Sequence, residues 1–278
     1  MNILVTGAGG FVGKSLCPRL VQRGHNVSGL AHDITTPFPS PLRFDLVVHL
    51  AAHNVTHVGD QDNGLYARVN VQGTKNVLEA VDAGHFIFLS TAKVYKNEGL
   101  PAGQAGLPLT EDSPLGPVGA YEASKLKAEE ACRSFFKGKR LVILRPVNIM
   151  GEGQAPKALL PIFFQKARQH QPLEIMGSAR TPVQFVYVDD VADAVEAVID
   201  HQEVDGIFNI ACDQIVTIEE LARKVIALTC SSSPLNMPGG REDVPCSRVI
   251  CDKALRQLGW KAKTGLEEIL QRYQENAA

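Results

Sequence analysis

The chain has 278 residues, which at about 150 residues per domain leaves room for about two domains, or one large α/β domain with an insertion or cap. It is 45% hydrophobic and 21% charged, a globular composition able to bury a sizeable core, which excludes disordered, coiled-coil, collagen-like and low-complexity classes. Lys and Arg number 28 against 30 Asp and Glu, a net charge of -2, so there is no electrostatic footprint for nucleic acid or an anionic membrane, and any bound anion is held locally.

No apolar run approaches the roughly 20 residues that cross a bilayer, and a first strand at Asn2 leaves no room for a signal peptide, so a cytoplasmic protein is expected. Six dispersed cysteines (Cys17, Cys132, Cys212, Cys230, Cys246, Cys251) include no Cys-x-x-Cys pair, as expected of reduced thiols rather than a disulfide or zinc framework.

The apolar run 2–6 meets Gly7-Ala8-Gly9-Gly10, after which Phe11, Leu16, Leu20 and Val21 recur at helical spacing up to Gly24: strand, glycine turn, helix. Further strands are predicted at 26–30, 45–50, 85–90 and 140–144, with helices over 65–81 (Val69, Val77 and Leu78 on the apolar side) and 121–136. Such alternation gives a parallel sheet covered by helices on both faces. Between the second and third strands, residues 32–44 hold three prolines, too broken for a helix plus a strand, so the sheet is expected to be trimmed there and crossed by a loop. Later elements are a helix over 158–170, a strand at 185–188, a helix over 191–201, a strand at 207–210, and helices over 217–228 and 265–273. The expected division is a dinucleotide-binding domain, 1–150, to which 185–210 crosses back, and a smaller substrate-binding lobe made of 151–184 and 211–278.

The glycines at 7, 10 and 13 are spaced G-x-x-G-x-x-G, with Val12 where the stricter G-x-G-x-x-G has its last glycine. Glycine permits a tight turn and close approach of a pyrophosphate, while the helix N-terminus supplies N–H donors and partial positive charge. Tyr121 and Lys125 stand four apart at a helix start and point from one face. A tyrosine acting as base near neutrality needs its pKa lowered from about 10 towards 7, roughly 4 kcal/mol of interaction with the phenolate, for which Lys125 and an oxidised nicotinamide are sources. His49, His53 and His57 form an H-x3-H-x3-H series, but His49 lies in an apolar strand and the others in a loop, so no metal is expected.

With these residues in view, the chain resembles the extended short-chain dehydrogenase/reductases, the nucleotide-sugar epimerase/dehydratase/reductase group. The resemblance rests on Thr6 to Gly13, Asp45-Leu-Val-Val-His-Leu-Ala-Ala52, Val69-Asn-Val-Gln-Gly-Thr74, Phe88-Leu-Ser-Thr-Ala-Lys-Val-Tyr95, Tyr121 to Lys125, Leu144-Arg-Pro-Val-Asn148, Phe185-Val-Tyr-Val-Asp-Asp-Val-Ala192 and Leu258-Gly-Trp260. It implies a Rossmann-type doubly wound sheet, NAD or NADP as cofactor, a small-molecule substrate that is a nucleotide sugar, and a homodimer built on helices 65–81 and 121–136. It further implies that Thr91 hydrogen-bonds the substrate oxygen, that Tyr121 is the general acid/base and that Lys125 holds the nicotinamide ribose. Gly7, Gly10, Phe11, Val12, Gly13, His32, Asp33, Leu50, Ala51, Ala52, Asn70 and Pro146 would line the cofactor. Asn148 would lie near the sugar diphosphate.

Departures from the family pattern bear on specificity. The second strand ends in Ala31-His32 rather than an acidic residue, with Asp33 two positions late, so Asp33 is a ribose or an adenine contact, and in the second case His32 faces a 2'-phosphate and favours NADP. Val183-Gln184 replaces the family's Arg-Asp, leaving Arg180 or Arg241 to hold a diphosphate. Ala92-Lys93 follows Thr91 where dehydratases carry Asp-Glu, which favours a 4-ketoreductase or 4-epimerase. The rival from another class is a catalytically idle dinucleotide sensor or scaffold.

Overall fold

The computed structural model describes residues 1–38, 41–54, 63–96, 106–175, 177, 179–237 and 247–276. Strands β1 (Asn2–Thr6), β2 (Asn26–Gly29), β3 (Leu46–His49), β4 (His85–Leu89), β5 (Arg140–Pro146), β6 (Asn148–Met150), β7 (Pro182–Tyr187), β8 (Gly206–Ile210) and β9 (Ile215–Thr217) carry the architecture. Six of them form one parallel sheet in the order β8-β5-β4-β3-β1-β2. The sheet is trimmed beyond β2: of the segment between β2 and β3, Leu42–Arg43 pairs with Val81–Asp82 outside the main sheet.

Alternate residues of each strand feed two separate cores, as a strand's period of two requires when both faces are covered. Ile3, Val5, Leu46, Val48, Ile87, Val142 and Leu144 pack on one face with Val12, Leu16 and Leu20 of α1 (Phe11–Gln22) and with Val191, Val195 and Val198 of α5 (Val188–Asp200). Leu4, Val47, Phe86, Phe88 and Ile143 pack on the other. There they meet Val77 and Leu78 of α2, a helix whose consecutive stretches are Asn63–Tyr66, Ala67–Gly73 and Thr74–Ala80, and Ala128 and Cys132 of α3 (Ala120–Phe135). The middle stretch of α2 is wound as a π-helix, which no periodicity in the sequence announces.

Of the segment 185–210, only β8 joins the main sheet. Strand β7 pairs with β6 in parallel and with β9 in antiparallel, in a sheet of three. Helix α5 begins at Val188 rather than 191, because Asp189 and Asp190 in its first turn complement the helix dipole. Helices α4 (Leu159–Arg168), α6 (Ile218–Leu228), α7 (Asp252–Leu258) and α8 (Leu266–Glu275) complete the chain. A capping box between Thr217 and Glu220 sets the start of α6. Among the described residues no helix is long and apolar enough to cross a membrane.

Two buried histidines make the fold acid-sensitive. His49 is sealed inside and His85 nearly so, and burial, with Lys125 acting on the first and Arg140 on the second, lowers both imidazoles to about 3. A group protonated more readily in the unfolded chain stabilises the fold fully above about pH 6.5 and loses that contribution as pH falls towards 3. Between pH 7 and 5 the two together should remove on the order of 4 kcal/mol. Thermal melts at the two pH values check this: a clear drop in melting temperature is expected, and an unchanged one contradicts it.

Candidate active site

The glycine loop between β1 and α1 divides its work by position. Gly7 has φ +70, and a Cβ there would sit 2.8 Å from the Ala51 nitrogen; a Cβ on Gly13 would lie 2.4 Å from the Gly7 carbonyl oxygen and 2.5 Å from that of Ala8. Both glycines are demanded by the fold, the first by its left-handed backbone and the second by close packing. Gly10 is exposed, and a Cβ there meets a single atom, the Gly7 oxygen, at 3.1 Å. It caps α1 without a side-chain hydrogen bond, so the first-turn N–H groups at Phe11, Val12 and Gly13 have no side-chain acceptor from the cap, a cradle that fits a pyrophosphate.

Behind the loop runs a fully paired polar chain. The Ala51 N–H donates to Thr6 Oγ1 at 3.2 Å, Thr6 Oγ1 meets His49 Nδ1 at 2.6 Å, His49 Nε2 meets Thr74 Oγ1 at 2.9 Å, and Thr74 donates to the Asn70 carbonyl at 2.7 Å. The sequence of donors requires neutral His49 with its proton on Nε2. His49 is thus a connector between β3 and α2. His53 offers its backbone to Asn70 and its ring to Tyr66, and His57 lies outside the described residues.

Asn70 sits in the π-wound stretch, 1% exposed, its Oδ1 accepting from the His53 N–H at 2.7 Å and its Nδ2 donating to the His53 carbonyl and to Ser124 Oγ. Ser124 in turn donates to the Tyr121 carbonyl at 2.6 Å. The amide therefore clamps the loop carrying Leu50, Ala51 and Ala52 to the first turn of α3.

At the end of β2, Asp33 accepts from the Thr35 N–H at 2.9 Å, and that bond foremost lowers its carboxyl, with His32 and Arg68 adding smaller contributions. The His32 ring bonds Thr36 and packs on Phe38 at 4.5 Å. Asp33 is exposed and His32 partly so.

Thr91 follows β4, 6% exposed, and accepts from the Lys93 N–H at 3.3 Å as the cap of a short 3-10 turn. Tyr121 stands in the first turn of α3 with its ring 5.9 Å from that of Tyr66. Burial, then Glu122 and Tyr66, raises its phenol above the ordinary value, so in the cofactor-free protein Lys125 is not what sets it. Lys125 is 3% exposed with Nζ 4.2 Å from the centre of the Phe88 ring, and burial brings its ammonium down to about 8.

A cavity of about 330 Å³ opens where these elements converge. Its walls include Ala92 and Lys93 after Thr91, Glu122 after Tyr121, Val147 and Asn148 after Pro146, and Thr181, Pro182 and Gln184 opposite. Asn148 donates to the Gln184 carbonyl at 2.9 Å. Gln184, which the sequence left without a role, is 3% exposed and ties β7 to Cys212 and Val249. Arg180 is exposed next to Thr181, and Arg241 lies outside the described residues. Lys93 and Glu122 are the charged residues among the described lining; the sequence marks Lys93 only as a departure after Thr91 and gives Glu122 no role. Pro146, buried at the end of β5, closes the main sheet opposite Ile210. Thr91, Tyr121 and Lys125 are themselves absent from the described lining of this first cavity, which their chain neighbours reach, and from that of a second cavity of about 600 Å³ between Phe11 and Lys14 of α1 and Tyr187 and Arg272.

A family model described as the NAD dependent epimerase/dehydratase family matches residues 3–211. GDP-6-deoxy-D-mannose reductase of Pseudomonas aeruginosa is 29% identical over 247 residues, which cover 79% of this chain and 77% of that protein. A trifunctional UDP-glucose 4,6-dehydratase/UDP-4-keto-6-deoxy-D-glucose 3,5-epimerase/UDP-4-keto-L-rhamnose-reductase of Arabidopsis thaliana is 26% identical over 98% of this chain, but the match covers 46% of that relative, so the chain spans about half its length. Among solved structures, UDP-glucuronic acid 4-epimerase from Bacillus cereus in complex with UDP-glucuronic acid and NAD superposes with a TM-score of 0.85 at 22% identity, covering 100% of both chains. UDP-glucose 4-epimerase from Thermotoga maritima with UDP-glucose gives 0.84 at 24% identity, again over 100% of both chains.

Proposed function

The chain belongs to the NAD dependent epimerase/dehydratase family, and from that premise we propose that it is an NAD(P)-dependent oxidoreductase or epimerase moving a hydride at the 4-keto/4-hydroxyl carbon of a nucleotide sugar. One observation carries this: the 330 Å³ cavity is walled by the immediate chain neighbours of Thr91, Tyr121 and Pro146 at once, at the carboxyl end of the sheet where open α/β folds take their ligands. Residues 1–150 with 185–210 form the dinucleotide side and 151–184 with 211–278 the substrate side.

Gly7, Gly10, Phe11, Val12 and Gly13 hold the pyrophosphate, Leu50 to Ala52 and Pro146 flank the dinucleotide, and Asn70 acts behind them by fixing the 50–53 loop. A bound nicotinamide supplies the hydride donor or acceptor. Tyr121 gives a proton to the substrate oxygen in the reductive direction, for which a phenol held above its ordinary value starts in the correct, protonated state. Thr91 donates a second hydrogen bond to that oxygen, and Lys125 binds the ribose. Asn148, with Arg180 or Arg241, serves the diphosphate. At the adenosine end, His32 and Arg68 beside Asp33 favour a phosphorylated ribose.

Absorbance and mass spectrometry of whatever the denatured, purified protein releases test the function. Retained NAD identifies an epimerase, which recycles its hydride internally; an empty site that NADPH fills identifies a reductase. A protein that neither retains nor binds a dinucleotide overturns both.

The homodimer implied by the family pairs α2 and α3 with their copies. Arg68, Gln72 and Glu79 on the outer face of α2 and Lys127, Glu130 and Arg133 on that of α3 are exposed, an alternation of charge that a two-fold axis can make self-complementary. Light scattering at micromolar concentration should give the dimer mass; a monomer contradicts this arrangement.

A further inference from the structure

Directly beneath the site lies an ion pair for which the chemistry above has no use. Glu129 is 0% and Arg145 1% exposed. Arg145 donates Nε to Oε1 at 2.9 Å and Nη2 to Oε2 at 2.6 Å. Ser90 Oγ donates to Oε1 at 2.5 Å and Arg133 Nη2 to Oε2 at 2.8 Å, so the carboxylate accepts four hydrogen bonds. The Arg145 guanidinium lies over the Tyr95 ring at 4.8 Å, and Tyr95 donates to Asn209 of β8 at 2.7 Å. Arg145 Nη1 has no hydrogen-bond partner among the described residues.

A buried pair of this kind seldom adds stability over well-packed apolar residues, because desolvation offsets the attraction; what it can add is a fixed arrangement. The arrangement fixed here is specific. Ser90 precedes Thr91, Glu129 follows Lys125 by one helical turn, and Arg145 precedes Pro146. One carboxylate therefore joins the three backbones that carry the candidate site.

We propose that Glu129, gripped by Arg145, is a positioning residue that sets Thr91 against Lys125 and places a carboxylate one helical turn from the lysine. Its consequence for turnover rests on the proposed roles of Thr91 and Lys125, while its effect on the lysine itself needs no bound ligand. The groups acting on Lys125 can be named from each element around it. Phe88 of β4 lies beneath it, His49 of β3 is within its field, and Glu129 and Cys132 share its helix. Arg145 and Arg133 reach it through Glu129. Burial acts first, downward; Cys132 and then Glu129 act upward. The Cys132 thiol is itself pushed up to about 12 by burial and His49 down to about 3, so near pH 8 both are neutral. Glu129 is the negative charge that remains.

The test is the titration of Lys125 by NMR in lysine-labelled, ligand-free protein, its signal assigned with Lys125→Arg. Glu129→Gln should lower the midpoint by about one pH unit, and Glu129→Asp, which keeps the charge, should restore most of it. If Glu129→Gln does not fold, Glu129→Gln with Arg145→Met removes both charges together and should lower the midpoint by less, because loss of the Arg145 cation offsets part of the loss of the carboxylate. Ser90→Ala should leave the midpoint in place while slowing turnover about tenfold through a loosened Thr91. An unmoved midpoint in the folded Gln variant overturns the electrostatic half, and unaltered turnover in Ser90→Ala overturns the positioning half. Wild-type protein that turns over no substrate instead refutes the proposed function, and the lysine titration still decides this inference.

Discussion

Replacing Tyr121 with Phe should lower single-turnover hydride transfer by roughly 10² to 10⁴ while leaving dinucleotide affinity unchanged, the usual loss when a general acid/base is removed. The ring itself has a place to stay, since its neighbour Tyr66, 5.9 Å away between ring centres, contacts phenylalanine as readily. What disappears is the hydroxyl, a protonated phenol whose surroundings of burial, Glu122 and Tyr66 oppose ionisation. Thr91→Val should cost less, because it removes one hydrogen bond of a few kcal/mol at most and leaves the proton donor. Lys125→Met should weaken both affinity and rate, because the ammonium would hold the nicotinamide ribose and so orient the reacting ring. Stopped-flow absorbance of the nicotinamide, with each variant checked by a thermal melt, reads all three; a Tyr121→Phe protein reacting at the wild-type rate contradicts the assigned acid.

The second large effect separates two glycines three residues apart. Gly10→Val should fold yet lose two orders of magnitude or more in affinity for NADH and NADPH, on the order of 3 kcal/mol or greater. Its Cβ meets only the Gly7 oxygen, at 3.1 Å, and its branches then fill the mouth of the cradle at the start of α1. Gly13→Val places Cβ 2.4 Å from one backbone oxygen and 2.5 Å from another, so that chain should fail to fold rather than merely fail to bind. Circular dichroism with dinucleotide titration distinguishes the outcomes. A well-folded Gly10→Val protein of unchanged affinity removes the glycine loop from the binding site.

The sheet was legible because its strands are short apolar runs bounded by glycine, polar turns or helical periodicity, and the crossing at 32–44 because three prolines forbid a regular helix there. Thr91, Tyr121 and Lys125 suggest a site only when taken together, each alone having an ordinary structural explanation. The polar interior was not legible. Glu129 sits in a stretch of Ala, Glu and Lys that looks like any solvated helix face, and only the strand carrying Arg145, sixteen residues on, turns it inward. Asn70 shares the same difficulty: the π-wound turn that aims it at His53 and Ser124 leaves no mark on the spacing of apolar residues. Helix α5 was placed three residues late because Val186-Tyr187-Val188 continues a strand pattern up to the acidic pair. For Glu129 and Asn70 a tertiary partner distant in sequence decided the outcome, and for α5 the acidic first turn did.

The central claim, hydride transfer to a keto sugar, is tested most directly by mixing wild-type protein with NADH or NADPH and a panel of 4-keto nucleotide sugars and following nicotinamide absorbance over a single turnover. Oxidation of the reduced dinucleotide by at least one of these substrates, with the alcohol recovered as product, is the predicted result. Tight dinucleotide binding with no change in absorbance across the panel, and no interconversion of the corresponding 4-hydroxy epimers, would contradict it and leave a dinucleotide-binding protein without catalysis.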